Sequence, residues 1–321
     1  MLKLELRMTL VLLALAMPGV GRADDTLRFA STEAGWDNSV APYGVSVGTF
    51  KAAGIDLKVS FTDGSTATLQ AIISGSVDIG IVAVPALIGA AVQGAPVTMV
   101  SSSFRGTSDL LWYARADGRI RSLKDVRPDT VLAYSTPGSS NYIVLAALLD
   151  QAGVTGRLVA TGGAAATMTQ VMTGQADVGP DGNGGLGVPE FVQGRVRPVA
   201  FGRDLAGMAE VSARGLVVNA DTLAKRRDVV LRFLVAYQAT IDRMYRDPGA
   251  RQWFADANHA SLADANRVID EMYPPGAMRL GEVGGIDLSV AQGLQFKRIE
   301  RTPSAAELGR MFQIVWRPPE P

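Results

Sequence analysis

The 321-residue chain contains no cysteine and a single histidine, His259. The first absence excludes a disulfide framework, a thiolate metal site and a cysteine nucleophile. The second removes most of the parts of a His-based triad or a multi-His metal site. Neither sign of charge is in excess: Lys and Arg together number 31, and so do Asp and Glu. No global basic field therefore points to nucleic acid. Beyond the first 23 residues no apolar run reaches membrane-spanning length. No Walker motif is present, so ATP hydrolysis by this chain is not expected. What is there is an ordinary globular composition, 47% hydrophobic and 19% charged. Its length suffices for two lobes with sizeable cores, and nothing in it calls for a cofactor.

The N-terminus reads as a secretory leader. Lys3 and Arg7 precede the apolar run Met8–Met17, which Pro18 and Gly19 break. Gly21 and Ala23 supply the small residues of a cleavage site, so cleavage is expected after Ala23. The apolar core is about ten residues, too short to span a bilayer. No cysteine follows to carry a lipid. The processed chain is expected in a periplasm.

Strand and helix signals then alternate. Thr26–Ala30, Ile55–Thr62, Val77–Val82 and Pro96–Ser101 read as strands. Pro42–Ala53, Ala67–Ser74 and Ala86–Gln93 read as helices, several of them stopped by glycine. A long helix is expected over Ala220–Asp247, with Val230, Phe233, Leu234, Tyr237 and Ile241 at helical spacing and Pro248-Gly249 ending it. Shorter helices follow at Leu262–Met272 and Ala305–Val315. Such alternation argues for parallel α/β sheets.

One pattern occurs twice. Leu69-Gln-Ala-Ile-Ile-Ser-Gly-Ser-Val-Asp-Ile-Gly80 matches Met168-Thr-Gln-Val-Met-Thr-Gly-Gln-Ala-Asp-Val-Gly179, 99 positions later. Val92-Gln-Gly94 likewise returns as Val192-Gln-Gly194. Two blocks are too few for a solenoid and fit two related α/β lobes. The expected plan is a leader over 1–23, lobe 1 over 24–110 plus 213–321, and lobe 2 over 111–212. Two strand-like runs, Asp109–Arg115 and Val211–Asn219, would connect them as a hinge.

The chain resembles the periplasmic substrate-binding proteins of ABC importers in the nitrate, sulfonate and taurine group. The matching stretches are the leader, Leu27-Arg-Phe-Ala30, Phe50-Lys-Ala-Ala-Gly-Ile-Asp-Leu-Lys-Val59 and Gly75-Ser-Val-Asp-Ile-Gly80. Others are Ser122-Leu-Lys-Asp125, Thr136-Pro-Gly-Ser-Ser-Asn-Tyr142, Gly174-Gln-Ala-Asp-Val-Gly179 and Leu216-Val-Val-Asn-Ala-Asp-Thr-Leu223. The resemblance implies a bilobed type II periplasmic-binding-protein fold, with two α/β lobes on a two-strand hinge. It also implies a monomer that closes on one small molecule and delivers it to an ABC permease with a cytoplasmic ATPase.

In open α/β sheets, ligands bind beyond the carboxyl ends of strands, beside helix N-termini whose N–H groups attract oxyanions. Four loops satisfy that description. They offer Ser65 and Thr66, Ala83 and Val84, Ser139, Ser140, Asn141 and Tyr142, and Asp181 and Asn183. Trp36, in the loop before the first helix, could add an aromatic wall. Each has a plainer reading: the hydroxyls as helix caps, Trp36 and Tyr142 as packing, Asp181 as a turn residue. Arg105 lies past another strand end and could pair with an anion, its plainer reading being a solvated loop charge; Lys225–Arg227 read as a solvated helix face and His259 as a surface or structural group. The ligand expected is a small organic anion, with a sulfonate or carboxylate head on helix N–H groups and an organic body against Trp36 and Tyr142. Two alternatives stand beside transport. One is a sensing component for a membrane kinase. The other is an enzyme of the thiamine-pyrimidine-synthase type, which the missing Cys and the lone His disfavour.

Overall fold

The computed structural model describes residues 24–32 and 35–319; the leader expected at 1–23 lies outside them. The chain builds one sheet, leaves it, builds a second and returns. β1 (Asp25–Ser31), β2 (Ile55–Phe61), β3 (Ile79–Ala83) and β4 (Val97–Arg105) come first. β5 (Leu111–Arg115), β6 (Val131–Tyr134), β7 (Arg157–Ala160), β8 (Val178–Asp181) and β9 (Val196–Phe201) form the second sheet. β10 (Ser212–Asn219) then re-enters the first sheet between β3 and β4, antiparallel to both. The strand orders are β2-β1-β3-β10-β4 and β7-β6-β8-β5-β9. The chain crosses between sheets twice, through residues 106–110 and 202–211.

Helices cover both sheets. α1 (Val40–Ser46), α2 (Thr49–Ala52), α3 (Ser65–Ile73) and α4 (Val84–Val92) belong with the first sheet, and α5 (Ser140–Ala152), α6 (Ala164–Met172) and α7 (Pro189–Val192) with the second. After the return come α8 (Ala220–Lys225), α9 (Arg227–Arg246), α10 (Pro248–Ala257), α11 (Leu262–Met272), α12 (Ile286–Gln295) and α13 (Ala305–Met311).

The sequence repeat is a repeat of hydrogen bonds. Gly75 and Gly174 end α3 and α6 with φ of 74° and 77°, a left-handed conformation that glycine adopts without the usual Cβ penalty. The chain then turns alike into each strand: Val77 N–H donates to Ala71 O and Ala176 N–H to Gln170 O. The Asp of each block pins a neighbouring strand. Asp78 Oδ2 accepts from Arg28 N–H at 2.8 Å, and Asp177 Oδ2 from Val131 N–H at 2.9 Å. Thr62 and Thr68 share a hydroxyl bond at 2.6 Å, as Thr161 and Thr167 do at 2.5 Å. The repeated aspartates therefore hold strand register.

Three expected helices differ in extent. Pro42–Ala53 is two short helices, α1 and α2, because Gly48 sits between them at φ 76°. The long helix breaks at Arg226, with φ −133° and ψ 33°. There the Arg226 guanidinium reaches Thr26 O at 2.6 Å and Asp78 at 3.8 Å. The resulting α9 keeps the expected face: Val230, Phe233, Leu234, Tyr237 and Ile241 are all buried. Phe233 stacks on Phe50, ring centroids 5.5 Å apart, and tilts against Phe29 on β1. The last helix stops at Met311 rather than Val315. Phe312 pairs with Met99 on the outer edge of β4, and Gln313 N–H donates to Met99 O. Backbone pairing with an open sheet edge outweighs helical periodicity there.

Candidate ligand-binding site

Both sheets direct the carboxyl ends of their parallel strands at one another, and β10 sets a charge between them. Arg214, near the start of β10, lies opposite Ala83 on β3 and Phe104 on β4. Its guanidinium covers the Phe104 ring at 4.7 Å. Arg214 Nη2 donates to Asp109 Oδ2 at 2.7 Å and stands 3.0 Å from Asp37 Oδ2. Arg214 Nη1 donates to Ser140 Oγ at 3.4 Å, across to the first turn of α5. Three segments thus meet at one guanidinium: the loop after β1, the first crossing, and lobe 2.

All three charged groups are buried, with Arg214 8%, Asp37 4% and Asp109 2% exposed. Among the described residues, Asp109 Oδ1, Arg214 Nε and Asn183 Oδ1 are buried without a hydrogen-bond partner. Buried polar atoms in that condition are uncommon in a stable core and call for an explanation. Burial pushes the Asp109 carboxyl up to about 6; Arg214 pulls it down and Asp37 pushes it further up. Burial opposes the Arg214 charge, but the two carboxylates outweigh it and keep the guanidinium protonated. Tyr273 is raised well above its ordinary range by burial and by the surrounding acids. It therefore stays a hydroxyl, and it donates to Gly182 O at 2.6 Å, next to Asp181 on lobe 2.

The lobes are in contact on each side of this cluster. Thr66 Oγ1 donates to Pro137 O at 3.0 Å and to Thr136 Oγ1 at 3.2 Å. Asn183 Nδ2 donates to Asn258 Oδ1 at 2.9 Å. Arg298, between α12 and α13, donates to Tyr142 Oη at 3.0 Å and lies over the Tyr142 ring. This is a closed arrangement, and the room beside Ser140 is about 20 Å³, lined by residues that include Pro85, Ile143, Ala213 and Gln292.

The structure sorts the residues expected from sequence. Thr66, Ser140 and Asn183 lie at the lobe–lobe contact. Ser65 Oγ accepts from Ala83 N–H at 3.0 Å, tying α3 to the end of β3. Ala83 and Val84 are buried beside Arg214's strand and present backbone rather than side-chain chemistry. Ser139 is the helix cap of α5, accepting from Tyr142 N–H at 3.3 Å. Asn141 turns back to its own loop, accepting from Ser135 N–H at 3.1 Å and donating to Ser135 Oγ at 3.0 Å. Tyr142 packs on Tyr134, centroids 4.7 Å apart, and faces Arg298. Trp36 is fully buried, edge-on to Phe254 at 5.0 Å. Asp181 Oδ2 accepts from Asn183 and Gly185 N–H, a turn role, while burial raises its carboxyl against those bonds.

Asp37, Asp109, Arg214 and Tyr273 escaped the sequence reading. One signal was available: Arg214 is a charge inside the otherwise small and apolar run Val211–Val218. A charge in a central strand needs a buried partner. Nothing in the sequence names that partner, because Asp37 and Asp109 are 177 and 105 positions away. Among the described residues, no group of His, Cys, Asp or Glu is arranged to hold a metal ion.

Known proteins share this architecture. The alkanesulfonate-binding protein SsuA from Xanthomonas axonopodis pv. citri, bound to MOPS, matches with a TM-score of 0.71 at 14% identity. The match covers 92% of this chain and 99% of that one. The periplasmic aliphatic sulphonate-binding protein SsuA from Escherichia coli matches with a TM-score of 0.69 at 15% identity, covering 92% and 95%. The desulfurization enzyme DszB also matches, with a TM-score of 0.59 at 14% identity over 90% and 96%. No curated protein matches the sequence significantly. The family model described as NMT1/THI5 like matches residues 43–251, well over half of the chain. The chain therefore belongs to the NMT1/THI5-like family and has the two-lobed fold of the periplasmic substrate-binding proteins.

Proposed function

We propose that this protein is a periplasmic solute-binding protein that closes lobe 1 (24–110 plus 213–321) and lobe 2 (111–212) over a small organic molecule. It then presents the loaded, closed form to an ABC permease driven by a cytoplasmic ATPase. The observation that carries the reading is the buried Asp37–Arg214–Asp109 cluster between the lobes, with polar atoms left over and Ser140 of lobe 2 drawn onto it. Contacts made by both lobes stabilise the closed state, so a solute bridging them shifts the population toward closure. An acidic head on the solute would use Arg214, Ser140 and the first-turn N–H groups of α3, whose N-cap Gly64 brings no side-chain cap. The sulfonate-binding relatives in fold support such a head.

A thermal-shift screen over sulfonates, carboxylates, amino acids and pyrimidines tests this. Ligand bound by the native state alone raises the melting temperature by mass action. A hit that also compacts the protein in small-angle scattering is the expected result. No shift across all four classes would count against capture. Turnover of a bound compound would replace capture with catalysis.

A further inference from the structure

A groove of about 650 Å³ opens beside the two crossings between the lobes, and none of Arg214, Asp37, Asp109 or Ser140 lines it. That volume falls within the ~300–1,000 Å³ of sites that take small molecules. Its lining is tied to different lobes. On one side, Arg105 N–H donates to Ala277 O and Ser108 Oγ to Met272 O, each at 2.7 Å, which fixes Arg105–Ser108 to lobe 1. On the other, Ala206 N–H donates to Gln151 Oε1 and Gln151 Nε2 to Asp204 O, each at 3.0 Å, which fixes the segment after Arg203 to α5 of lobe 2. Each side brings an arginine, and neither arginine has a carboxylate partner among the described residues. Arg105 Nη2 meets only a carbonyl, Glu282 O at 3.3 Å, and Arg105 Nε is buried without a partner. Arg203 lies over the Phe201 ring at 4.3 Å and reaches Glu271 O at 3.5 Å. One acidic residue, the exposed Glu210, also lines the groove, so positive charge is in surplus. The hydroxyls of Thr107 and Ser108 already donate to Gly202 O and Met272 O, which leaves the guanidiniums as the side-chain donors.

We propose that this hinge groove is a second binding site, for a small polyanion with at least two acid groups, and that its occupant sets the angle between the lobes. A guanidinium fork matches a carboxylate or phosphate group, so one acid group meets each arginine. A molecule held by Arg105 and Arg203 together fixes the spacing of two segments that move with different lobes. The closed arrangement described above has both arginines at the groove, so the polyanion favours closure. By linkage it then raises the affinity of the cleft for its solute by the same factor as the solute raises the affinity of the groove.

The test is calorimetric titration with citrate and with inorganic pyrophosphate at constant ionic strength, two probes that separate a carboxylate ligand from a phosphate one. At least one should saturate a single site per chain and lower the radius of gyration in small-angle scattering. Arg203→Gln, at an exposed position, should weaken that binding at least tenfold and abolish the scattering change, with Arg105→Gln as the second variant. No saturable binding of either probe overturns the proposal. So does binding that both variants weaken less than tenfold, because the anion is then held elsewhere. Binding that leaves the radius of gyration unchanged overturns the control of closure. The titration needs no solute in the cleft, so its failure leaves capture standing, and an empty solute screen leaves the titration readable.

Discussion

Replacing Arg214 by methionine removes the charge between two carboxylates while keeping much of the side-chain volume. The Asp109 and Asp37 side chains are 3% and 5% exposed, so water does not replace the guanidinium freely. Breaking a buried ion pair from one side costs about 3–5 kcal/mol, because the remaining charge is left uncompensated. The pH dependence gives a second reading of the same physics. Burial already raises Asp109 to about 6 with Arg214 present. Without the arginine it rises further, since the largest opposing influence is gone. A carboxyl raised on folding binds more protons in the native than in the unfolded state, so stability falls as pH rises from about 4 through the folded value. The loss in Arg214→Met should therefore grow between about pH 5 and pH 8. Urea midpoints at both pH values, at unchanged m, measure it. A loss under about 1 kcal/mol, or one equal at the two pH values, would show that the aspartates are solvated and that the cluster is not a desolvated site.

Four further outcomes follow from the same geometry. Gly187→Ala places a Cβ 1.9 Å from Asn258 O across the cleft, so the variant should scatter as a more open particle and bind solute at least tenfold more weakly, while the left-handed φ of 71° at this position adds about 1–2 kcal/mol of strain within lobe 2 itself. Thr66→Val removes the hydroxyl that donates to Pro137 O at 3.0 Å; about 1 kcal/mol of closure, roughly a fivefold loss of affinity by calorimetry, is expected with an unchanged melting temperature. Asp109→Asn should remove the part of the stability profile that falls between pH 4 and 7, roughly the window between unfolded and folded values, and superposable slopes would contradict the raised carboxyl. Phe50→Ala empties the stack on Phe233 and should cost about 3–5 kcal/mol in urea unfolding; a much smaller loss would mean that the site collapses around the gap.

Much of the fold was legible because its signals are local. Glycine stops, alternating strands and the 99-residue repeat each depend on neighbours within about a dozen positions, and the structure repeats their hydrogen bonds in both lobes. Helix extents were less legible where a distant partner intervenes, as at Arg226, which bonds to Thr26 O, and Phe312, which pairs with Met99. The rule that strand ends face ligands pointed to four loops, and three of their residues, Thr66, Ser140 and Asn183, each make a hydrogen bond from one lobe to the other. Residue type did not reveal which hydroxyls were already engaged. Ser139 and Asn141 look as available as Ser140 in sequence, yet one caps α5 and the other closes its own loop.

By itself the sequence determined the alternation of strands and helices, the two related blocks and the chemistries that lack of cysteine and histidine removes. Those properties follow from backbone preferences and side-chain period, which act over a few residues. Only the tertiary structure decided that Arg214, Asp37 and Asp109 are one group, and that Asp78 and Asp177 pin neighbouring strands in register. Burial sets the strength of a charge and the need of a polar atom for a partner, and burial arises only when segments a hundred or more residues apart close on one another.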